Sequence, residues 1–452
     1  MIFKRKIYNR LLNWKNNAAG EKALLIKGAR RIGKSTIAEE FGAKEYKSFI
    51  LIDFNDASEV VLDAFNSYLN DLDTFFMLLS TEYNQTLYPH ESLIIFDEIQ
   101  RFPKARQSIK KLVQDGRYDY IETGSLISVK KNVKDITIPS EERTIKMYPL
   151  DFEEFCTAVG EESMIAYIKQ CFEKKVPLEE KLHCKAMLLF RQFLIVGGMP
   201  KSIAAFLDNN RNFMKADEEK RDILTLYRND IGKIESRYKT KVLAIFDQIP
   251  GFLSKHERRV VFSHINKEDT FAAYHDTFFW LSDSMMANEC FNCSDPNIGL
   301  ALNEDRTYVK CYMGDTGLLV SHTFTDTEIE EEDLYRQLLL GRLSINEGMF
   351  FENAIAQELV SNGHRLFFYT RYNNDKHRND IEIDFLISNK SKLRYKIFPI
   401  EVKSTERYST KSLERFMEKF SERIDTAYVI HTKNLKVTEN ICYIPAYMTM
   451  CL

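Results

Sequence analysis

The sequence lacks long apolar runs and an amino-terminal secretion signal. No stretch of its 452 residues reaches the roughly 18 consecutive apolar residues that a membrane-spanning helix needs. Residues 1–17 carry Lys or Arg at positions 4, 5, 6, 10 and 15, so they have no apolar signal-peptide core. These absences argue against membrane-spanning and secreted classes, and we expect a cytoplasmic protein with no membrane partner.

An excess of charge of one sign is also missing, as is a paired set of cysteines. The chain has 63 Lys and Arg against 66 Asp and Glu, a formal net charge of -3. This balance gives no overall field toward nucleic acid, although a local patch could still provide one. Of eight cysteines only Cys290 and Cys293 have a metal-like spacing, and one such pair is weak support for zinc. We expect structural thiols.

The order of strand-like and helical stretches predicts an α/β protein with four segments. β-rich runs alternate with helical stretches in the first third, which is typical of a parallel sheet. Helical spacing then dominates, followed by short helices and strands compatible with a winged helix-turn-helix, and the last part returns to α/β. An acidic run, Glu328 to Asp333, reads as a solvated separator. The predicted segments are 1–150 (P-loop domain), 151–235 (helical linker), 236–325 (winged-helix-like) and 326–452 (α/β).

A phosphate-binding loop of the Walker A type follows the apolar run at residues 23–26. Its glycines let backbone N–H groups wrap around phosphate oxygens at the amino terminus of the next helix. Lys34 is expected to reach the β- and γ-phosphates, and Ser35 to offer its hydroxyl to Mg²⁺. The predicted nucleotide-binding residues are Gly28, Ala29, Arg30, Arg31, Ile32, Gly33, Lys34, Ser35 and Thr36.

A Walker B element lies downstream, where the apolar run at residues 93–96 ends in two carboxylates. Asp97 is placed to hold Mg²⁺ through its water shell, and Glu98 to polarise the attacking water. Because both elements occur in the expected order, the sequence predicts binding of a nucleoside triphosphate with Mg²⁺. Glu98 adds the prediction of hydrolysis. No Asn/Thr-Lys-x-Asp guanine-reading motif is evident, which favours ATP over GTP.

Two further polar elements are expected at the site. Thr123 ends a third β-like run and could hydrogen-bond the water or the γ-phosphate, or it could belong to an ordinary turn. An arginine should compensate charge in the transition state, and Arg143 and Arg101 are the candidates. Either arginine could act across a subunit interface or be a simple surface residue. No sequence feature fixes the oligomeric state.

Seven motifs lie along nearly the whole chain: GARRIGKS (28–35), DEIQRFP (97–103), TGS (123–125), YPLDFEEF (148–155), VGGMP (196–200), YMGDTGLL (312–319) and FEN (351–353). Together they resemble those of one family, the prokaryotic AAA-type ATPases that carry a carboxyl-terminal domain of unknown function. The resemblance implies an AAA-like core, a helical linker, a winged helix and a terminal module similar to restriction-endonuclease-like folds. This chain departs from the family in having Glu142 rather than glycine before Arg143, which leaves the role of Arg143 open.

A second charged constellation lies in the last segment. Asp384 and the pair Glu401 and Lys403 make an Asp…Glu-x-Lys pattern, in which residues two apart on a strand point to the same side. In metal-dependent nucleases two carboxylates hold Mg²⁺ and the lysine orients water. Glu352, on a preceding helix, could add a ligand. By itself the pattern is short and could be a solvated charge pair, and fold likeness does not establish activity.

The predicted winged helix has a poor charge pattern for reading DNA. From Glu268 to Asp295 there is no Lys or Arg, so we expect its aromatic residues, Phe271, Tyr274, Phe278, Phe279 and Trp280, to be core. A basic group just before it could contact phosphates or form a solvated helix face: Lys255, His256, Arg258 and Arg259.

The sequence supports three hypotheses for the function. The first is an ATP-driven switch that controls the carboxyl-terminal module. The second is a nuclease at Asp384, Glu401 and Lys403 that the ATPase regulates. The third is a nucleotide-gated interaction module with an unknown protein partner and no cleavage. Nucleic acid is a further candidate partner.

Overall fold

The computed structural model of the protein divides into two compact units. The smaller unit comprises Met1–Tyr148 with Asp283–Met285, and the larger unit comprises Pro149–Ser282 with Met286–Leu452. Most of the predicted acidic separator lies outside the described residues, as do His256 and residues 268–270. The division into four segments stays a prediction. The structure describes residues 2–125, 140–255, 258–260, 271–297, 299–325, 333–342, 347–373, 378–388, 396–405 and 407–452.

Helices and strands alternate in the smaller unit and are mixed in the larger one. The helices are α1 (Ile7–Asn17), α2 (Lys34–Glu45), α3 (Glu59–Ser67), α4 (Leu72–Glu82), α5 (Pro103–Asp115), α6 (Phe152–Ala158), α7 (Glu162–Lys174), α8 (Glu180–Val196), α9 (Pro200–Asp208), α10 (Phe213–Gly232), α11 (Ser236–Leu253), α12 (Phe271–Asp283), α13 (Thr316–Thr323), α14 (Asp333–Leu339), α15 (Glu347–Ser361) and α16 (Lys411–Lys419). The strands are β1 (Ala23–Lys27), β2 (Ser48–Asp53), β3 (Ser92–Asp97), β4 (Asp119–Gly124), β5 (Glu142–Lys146), β6 (Ala287–Cys293), β7 (Glu304–Met313), β8 (Leu366–Asn373), β9 (Arg378–Ser388), β10 (Ile397–Val402), β11 (Ala427–His431), β12 (Lys436–Val437) and β13 (Ile441–Pro445).

The smaller unit contains the parallel sheet that the alternating pattern predicts. Its strand order is β2-β3-β4-β1-β5, and every pair is parallel. All six residues of β3 are buried, as expected for a parallel strand covered on both faces. Phe65 packs edge to face against both Phe75 and Phe96, so aromatic rings form part of the mixed aromatic and aliphatic core next to β3.

The larger unit contains a mixed eight-stranded sheet. Its order is β12-β13-β11-β10-β9-β8-β6-β7, with parallel pairing of β10 with β11, of β11 with β13 and of β6 with β8. Strands β6 and β7 belong to the predicted winged-helix segment and pair with each other, yet β6 also pairs with β8 from the last segment. One sheet therefore runs across the predicted boundary at residues 325 and 326. The winged helix itself stays a prediction.

Of the five aromatic residues expected to be core in this region, the side chain of Phe271 lies outside the described part of the structure and Trp280 is partly buried. Tyr274 and Phe278 are buried, as predicted. Phe279 is 48% exposed, so the prediction was wrong for that residue, which follows a buried one on the helix and points away from the core. The cysteines are all free. Burial raises the pKa of the Cys293 thiol to about 11, in keeping with a structural thiol.

Two glycine motifs of the larger unit meet each other in a buried polar cluster. The Gly198 N–H donates to the Asp315 carboxylate at 2.5 Å, and the Gly198 carbonyl accepts from Leu150 at 2.7 Å. A Cβ at Gly198 would lie 2.0 Å from the Leu150 carbonyl oxygen, and one at Gly317 would lie 2.6 Å from the backbone of Gly197. Only glycine lets these segments approach so closely.

Among the described helices, none is by itself both long and apolar enough to cross a membrane; α8 and α9 meet that criterion only as a pair, bent by 116°.

The close approach at Gly198 predicts a large loss of stability on a small change. We expect Gly198→Ala to lower the free energy of unfolding by about 1–3 kcal/mol, because the added methyl group overlaps backbone atoms that cannot move away. Gly251→Ala is the matched control, since nothing lies within 4 Å of its added Cβ, and helix propensity should make it neutral or slightly stabilising. Urea unfolding of both variants checks this. Equal stabilities would contradict the close packing.

Candidate active site

The loop between β1 and α2 is shaped by two glycines. Gly33 has φ of 92°, a left-handed conformation that turns the chain into the amino terminus of α2. A Cβ at Gly28 would lie 2.3 Å from Ile32 Cδ1 and 2.6 Å from the Met147 carbonyl oxygen, so this position has no room for a side chain. The loop therefore presents backbone N–H groups at the start of a helix, as phosphate binding requires.

Lys34 lies buried at the first position of α2. Its Nζ donates to the carbonyl oxygens of Gly28 at 3.1 Å and Ala29 at 2.9 Å. Burial lowers the pKa of this ammonium, while the nearby carboxylates of Glu98 and Asp97 act in the opposite direction. The lysine thus lies within the loop, held by neutral acceptors that a phosphate oxygen could replace.

Asp97 joins the loop to the sheet through hydrogen bonds from two hydroxyl groups. Ser35 Oγ donates to Asp97 Oδ1 at 2.7 Å, and Thr123 Oγ1 donates to the same oxygen. Asp97 ends β3 and Thr123 lies on β4, so adjacent parallel strands bring them to the same edge of the sheet. Hydroxyl and carboxylate oxygens are the donors that Mg²⁺ prefers, and Ser35 with Asp97 fits such an ion.

Glu98 follows Asp97 with a strained backbone. Its φ of 51° is left-handed, which is uncommon for a residue with a side chain and often marks a functional position. Its carboxylate accepts a hydrogen bond from Gln100 Nε2, and its backbone N–H donates to Thr123 Oγ1 at 3.4 Å. Neighbouring side chains therefore fix both the carboxylate and the backbone of Glu98. Sequence reasoning missed this role of Gln100.

The two candidate arginines are both exposed. Arg101 ends the short turn that follows Glu98. Arg143 lies on the edge strand β5 opposite Leu24, three residues before the end of the strand, whereas the loop begins after Lys27. Since a strand rises about 3.3 Å per residue, Arg143 is set back about 10 Å from that edge. The structure brings neither arginine into contact with the loop, and the arginine finger stays a prediction.

Comparison with known families agrees with this geometry. Residues 20–156 match an AAA domain. Residues 20–148 of the smaller unit lie within this match, and the smaller unit is called the AAA domain below. Residues 187–329 match a domain of unknown function (DUF8612), and residues 347–448 match another (DUF4143). No curated protein sequence matches the chain.

Solved structures with a similar arrangement are only distantly similar. A Walker-type ATPase of Pyrococcus abyssi is 14% identical, with 71% of this chain and 96% of that one covered and a TM-score of 0.41. The ORC1 protein of Aeropyrum pernix in complex with DNA is 9% identical, with coverage of 72% and 93% and a TM-score of 0.27. Cdc6p of Pyrobaculum aerophilum is 12% identical, with coverage of 74% and 92% and a TM-score of 0.25.

A buried ion cluster of the AAA domain explains the departure from the family pattern at Glu142. Arg106 Nη2 lies 3.0 Å from Glu142 Oε2, and Arg106 Nε lies 4.0 Å from Glu122 Oε2. Arg106 and Glu122 are almost fully buried. Burial, and then the charge of Glu142, raises the pKa of the Glu122 carboxyl well above its usual value. Glu142 therefore serves as a partner of Arg106, a role that sequence reasoning missed.

Arg5 is a second residue of the AAA domain that sequence reasoning missed. Its guanidinium donates to the Ile32 carbonyl of the phosphate-binding loop at 3.0 Å and to the Tyr148 carbonyl at 2.6 Å. One planar side chain thus ties the loop to the end of the domain. A basic amino-terminal stretch is usually a solvated surface, so the sequence carried no signal for this contact.

The predicted carboxyl-terminal constellation lies around one cavity of about 410 Å³, called here the charged cavity. Asp384, Glu401 and Lys403 line it, and Lys403 Nζ lies 3.0 Å from Glu401 Oε2. Asp384 Oδ2 accepts from the backbone N–H of Val402 at 2.8 Å. The structure thus brings the three residues of the pattern together. Burial raises the pKa of Glu401 to about 7.

Two cations that the pattern did not predict lie among these carboxylates. Lys310 Nζ is 3.3 Å from Glu352 Oε1 and 3.7 Å from Asp384 Oδ1, and Arg258 is ion-paired with Glu352 Oε2. The Tyr312 hydroxyl donates to Glu352 at 2.5 Å. Glu352 is therefore occupied by protein groups and is not available as a ligand.

The charges of the predicted constellation are balanced without a metal ion. Three carboxylates (Glu352, Asp384 and Glu401) are matched by three cations (Arg258, Lys310 and Lys403). Within the described part of the chain, no group of three or more His, Cys, Asp or Glu is placed to hold a metal. These residues do not fit a divalent cation, because it would have to displace cations that are already paired.

The cluster around Arg106 predicts a loss of stability that depends on pH. We expect Arg106→Ala to lower the free energy of unfolding of the AAA domain by about 3–5 kcal/mol, because Glu122 and Glu142 lose their buried partner. A carboxyl whose pKa is raised in the folded state stabilises the fold while it is protonated. This contribution to the free energy of unfolding is lost as the pH rises through the folded-state pKa. The loss should therefore be larger at alkaline than at mildly acidic pH. Lys110→Ala, exposed on the same helix, is the control, and a pH-independent loss would contradict the cluster.

The charge balance of the charged cavity predicts that it does not respond to metal ions. Without nucleotide, millimolar Mg²⁺ or Mn²⁺ should shift the thermal unfolding of the wild type and of Asp384→Asn to the same extent. Calorimetric titration with Mn²⁺ gives the direct comparison. A metal-dependent stabilisation that is lost in Asp384→Asn but kept in Asp97→Asn would show that the cavity is a metal site after all.

Proposed function

We propose that the AAA-type domain binds ATP with Mg²⁺ and hydrolyses it, and that the nucleotide state controls the carboxyl-terminal module. The observation that carries the proposal is the hydrogen-bonded set around Asp97, in which Ser35 from the loop and Thr123 from β4 share one carboxylate oxygen. This set joins the phosphate-binding loop, the metal-binding carboxylate and the strand beside them in one edge of the sheet.

The loop residues bind and orient the triphosphate. Lys34 exchanges its two carbonyl acceptors for phosphate oxygens, and the helix amino terminus adds further N–H donors. Ser35 and Asp97 hold Mg²⁺, which neutralises charge on the phosphate oxygens when bound. The exchange costs little, because the carbonyl oxygens of Gly28 and Ala29 are neutral while the incoming oxygens are charged.

Glu98 acts as the general base for the attacking water in this proposal. Gln100 holds its carboxylate and the left-handed backbone sets its direction. Thr123 takes a positioning role rather than contact with the water, since its hydroxyl donates to Asp97 and accepts from the Glu98 backbone. We therefore assign Thr123 the role of aligning the two acids, in place of the hydrogen bond to the water or the γ-phosphate that the sequence suggested.

A short path leads from the loop to the end of the AAA domain and supports the switch. Met147 N–H donates to the Lys27 carbonyl at 2.7 Å, directly before the loop, and Arg5 bridges Ile32 and Tyr148. Any change of loop conformation on hydrolysis thus acts on residues 147 and 148. The next residues of the chain, Pro149 and Leu150, already belong to the larger unit. The loop can be ordered by nucleotide or released after hydrolysis. These two states can in this way favour different backbone conformations at the start of the larger unit.

The competing nuclease hypothesis is less well supported than the switch. Asp384, Glu401 and Lys403 do share a cavity, but the paired cations Lys310 and Arg258 leave no anionic site for a metal. Nuclease activity would appear as metal-dependent cutting that is lost in Asp384→Ala and kept in Glu98→Gln. The interaction-module hypothesis differs from both in predicting ATP-dependent capture of a partner with no cleavage.

Phosphate release from ATP by the purified protein tests the proposed function. Lys34→Ala should abolish both nucleotide binding and release. Glu98→Gln should keep binding and lower kcat by about 10²–10⁴-fold, the usual contribution of a general base. Thr123→Val should lower kcat to a smaller extent, with recovery in Thr123→Ser.

The matched control is Glu39→Gln, the same chemical change on the exposed face of α2, which should leave kcat unchanged. Tight binding of ATP without release by the wild type would turn the assignment to a nucleotide-gated binder. Absence of binding would overturn the proposal altogether.

A further inference from the structure

Arg5 lies outside the phosphate-binding motif, yet its side chain is bonded to the backbone of that motif. Its Nη1 donates to the Ile32 carbonyl at 3.0 Å, and its Nη2 donates to the Tyr148 carbonyl at 2.6 Å. Both terminal nitrogens of one rigid, planar group are therefore engaged. The position of the Ile32 carbonyl is in this way fixed relative to the end of the AAA domain.

The peptide that Arg5 holds lies between two left-handed residues of the loop. Arg31 has φ of 69° and Gly33 has φ of 92°. Glycine adopts this region freely, whereas a residue with a side chain does so at a cost. A costly conformation persists only where neighbouring contacts hold it, and the hydrogen bond from Arg5 to Ile32, the next residue after Arg31, is such a contact.

The hydrogen bond from Arg5 also fixes the direction of a backbone donor. The carbonyl of Ile32 and the N–H of Gly33 belong to one planar peptide group, in which they point in opposite directions. With the carbonyl held on Arg5, the Gly33 N–H is directed away from the Arg5 guanidinium. Gly33 immediately precedes α2, at the helix start where N–H groups bind phosphate oxygens.

The side chain of Ile32 is held independently of Arg5. It is fully buried, and its Cδ1 closes the space beside Gly28. The carbonyl of Ile32, and not its side chain, is therefore the part of this residue that depends on Arg5. Loss of the Arg5 contact should change the direction of the peptide group while the packing of the loop on the domain is kept.

The helix that follows Arg5 is also anchored at other points. Trp14 is buried, and its Nε1 donates to the Lys22 carbonyl at 2.8 Å. The Tyr8 hydroxyl donates to the Glu45 carboxylate, at the far end of α2, at 2.7 Å. Removal of the Arg5 side chain should therefore leave α1 in place and release only the loop.

We propose that Arg5 is a positioning residue for the nucleotide: it holds the phosphate-binding loop in the conformation that receives the triphosphate, and so sets the affinity for ATP through the loop. The inference rests on the proposed function of the AAA domain and adds to it a residue outside the Walker motifs.

The expected effect of Arg5 is on affinity rather than on the chemical step. A hydrogen bond from a charged donor is strong enough to change the fraction of competent loop about tenfold, and the apparent affinity falls by the same factor as that fraction. At saturating ATP the nucleotide itself favours the competent conformation, so kcat is kept.

Calorimetric titration of the full-length protein with Mg²⁺ and the non-hydrolysable analogue AMPPNP tests the proposal. Arg5→Ala should raise Kd about tenfold and should raise KM for ATP to a similar extent, with kcat within about twofold of the wild type. A merely structural loss would instead lower the active fraction, and hence the apparent kcat, with little change in KM.

Two further variants assign the effect to the contact with the loop. Arg5→Lys keeps a charge that can reach one carbonyl but lacks the planar fork that reaches both, so its Kd should lie between those of the wild type and Arg5→Ala. Arg10→Ala is the matched control, because Arg10 lies on α1 and donates to the Lys146 carbonyl at 3.2 Å rather than to the loop. It should bind AMPPNP like the wild type.

Hydrogen exchange without nucleotide measures the loop itself. In Arg5→Ala the backbone amides of residues 29–33 should exchange about tenfold faster than in the wild type, since the loop opens more often. The amides of the buried strand β3 are the internal reference and should be unchanged. This measurement does not depend on ATP binding.

The outcomes separate the role of Arg5 from the proposed ATPase. Equal Kd and equal exchange in Arg5→Ala and the wild type would overturn the inference and leave the ATPase intact. Tighter binding by Arg5→Ala would overturn it too, since Arg5 would then hold a conformation that excludes nucleotide. Failure of the wild type to bind AMPPNP would overturn the proposed function, and the role of Arg5 in affinity with it, even where the exchange of the loop changes as expected.

Discussion

The Asp97 carboxylate holds the candidate nucleotide site together, because hydroxyl groups from two different elements donate to one of its oxygens. Ser35 belongs to the first turn of α2, and Thr123 belongs to β4. Parallel strands end at the same edge of a sheet, so the geometry follows from the order of β3 and β4. The strained backbone of Glu98 is tolerated because Thr123 and Gln100 hold it on both sides. The chemistry proposed for the site depends on this arrangement.

Buried charges are matched in both units, and in each the matching partner is the residue that the motifs did not reveal. In the AAA domain Arg106 stands between two glutamates, and in the larger unit Lys310 and Arg258 stand among carboxylates. A buried charge costs several kcal/mol unless a partner compensates it. Removing one partner of a buried pair therefore destabilises the fold more than replacing both partners by apolar residues. This cost explains why Glu142 accompanies Arg106. It also makes the charged cavity unsuited to a metal ion.

Several motifs that resemble a family turn out to form a structural cluster rather than a site. Asp315, Gly198 and Leu150 come from three distant motifs and are joined by hydrogen bonds to the Gly198 backbone. Asn353 accepts from the Met313 backbone at 2.8 Å, and so fixes the end of β7. Such residues are restricted by close packing and by the need to satisfy buried polar groups. Their patterns in a sequence look no different from those of catalytic residues.

The sequence by itself determined which residues make up the candidate nucleotide site, because they are local: Lys34 and Ser35 follow the glycines of one loop, and Asp97 and Glu98 lie at the end of one apolar strand. The parallel sheet of the smaller unit followed from the alternation of strands and helices. Tertiary structure alone decided which distant charges meet, as with Arg5 at the loop, Arg106 at Glu142 and Lys310 at Asp384. It also decided that β6 and β7 complete the last sheet. Sequence patterns report periodicity along the chain, whereas ion pairs and sheet edges depend on contacts between residues far apart in it.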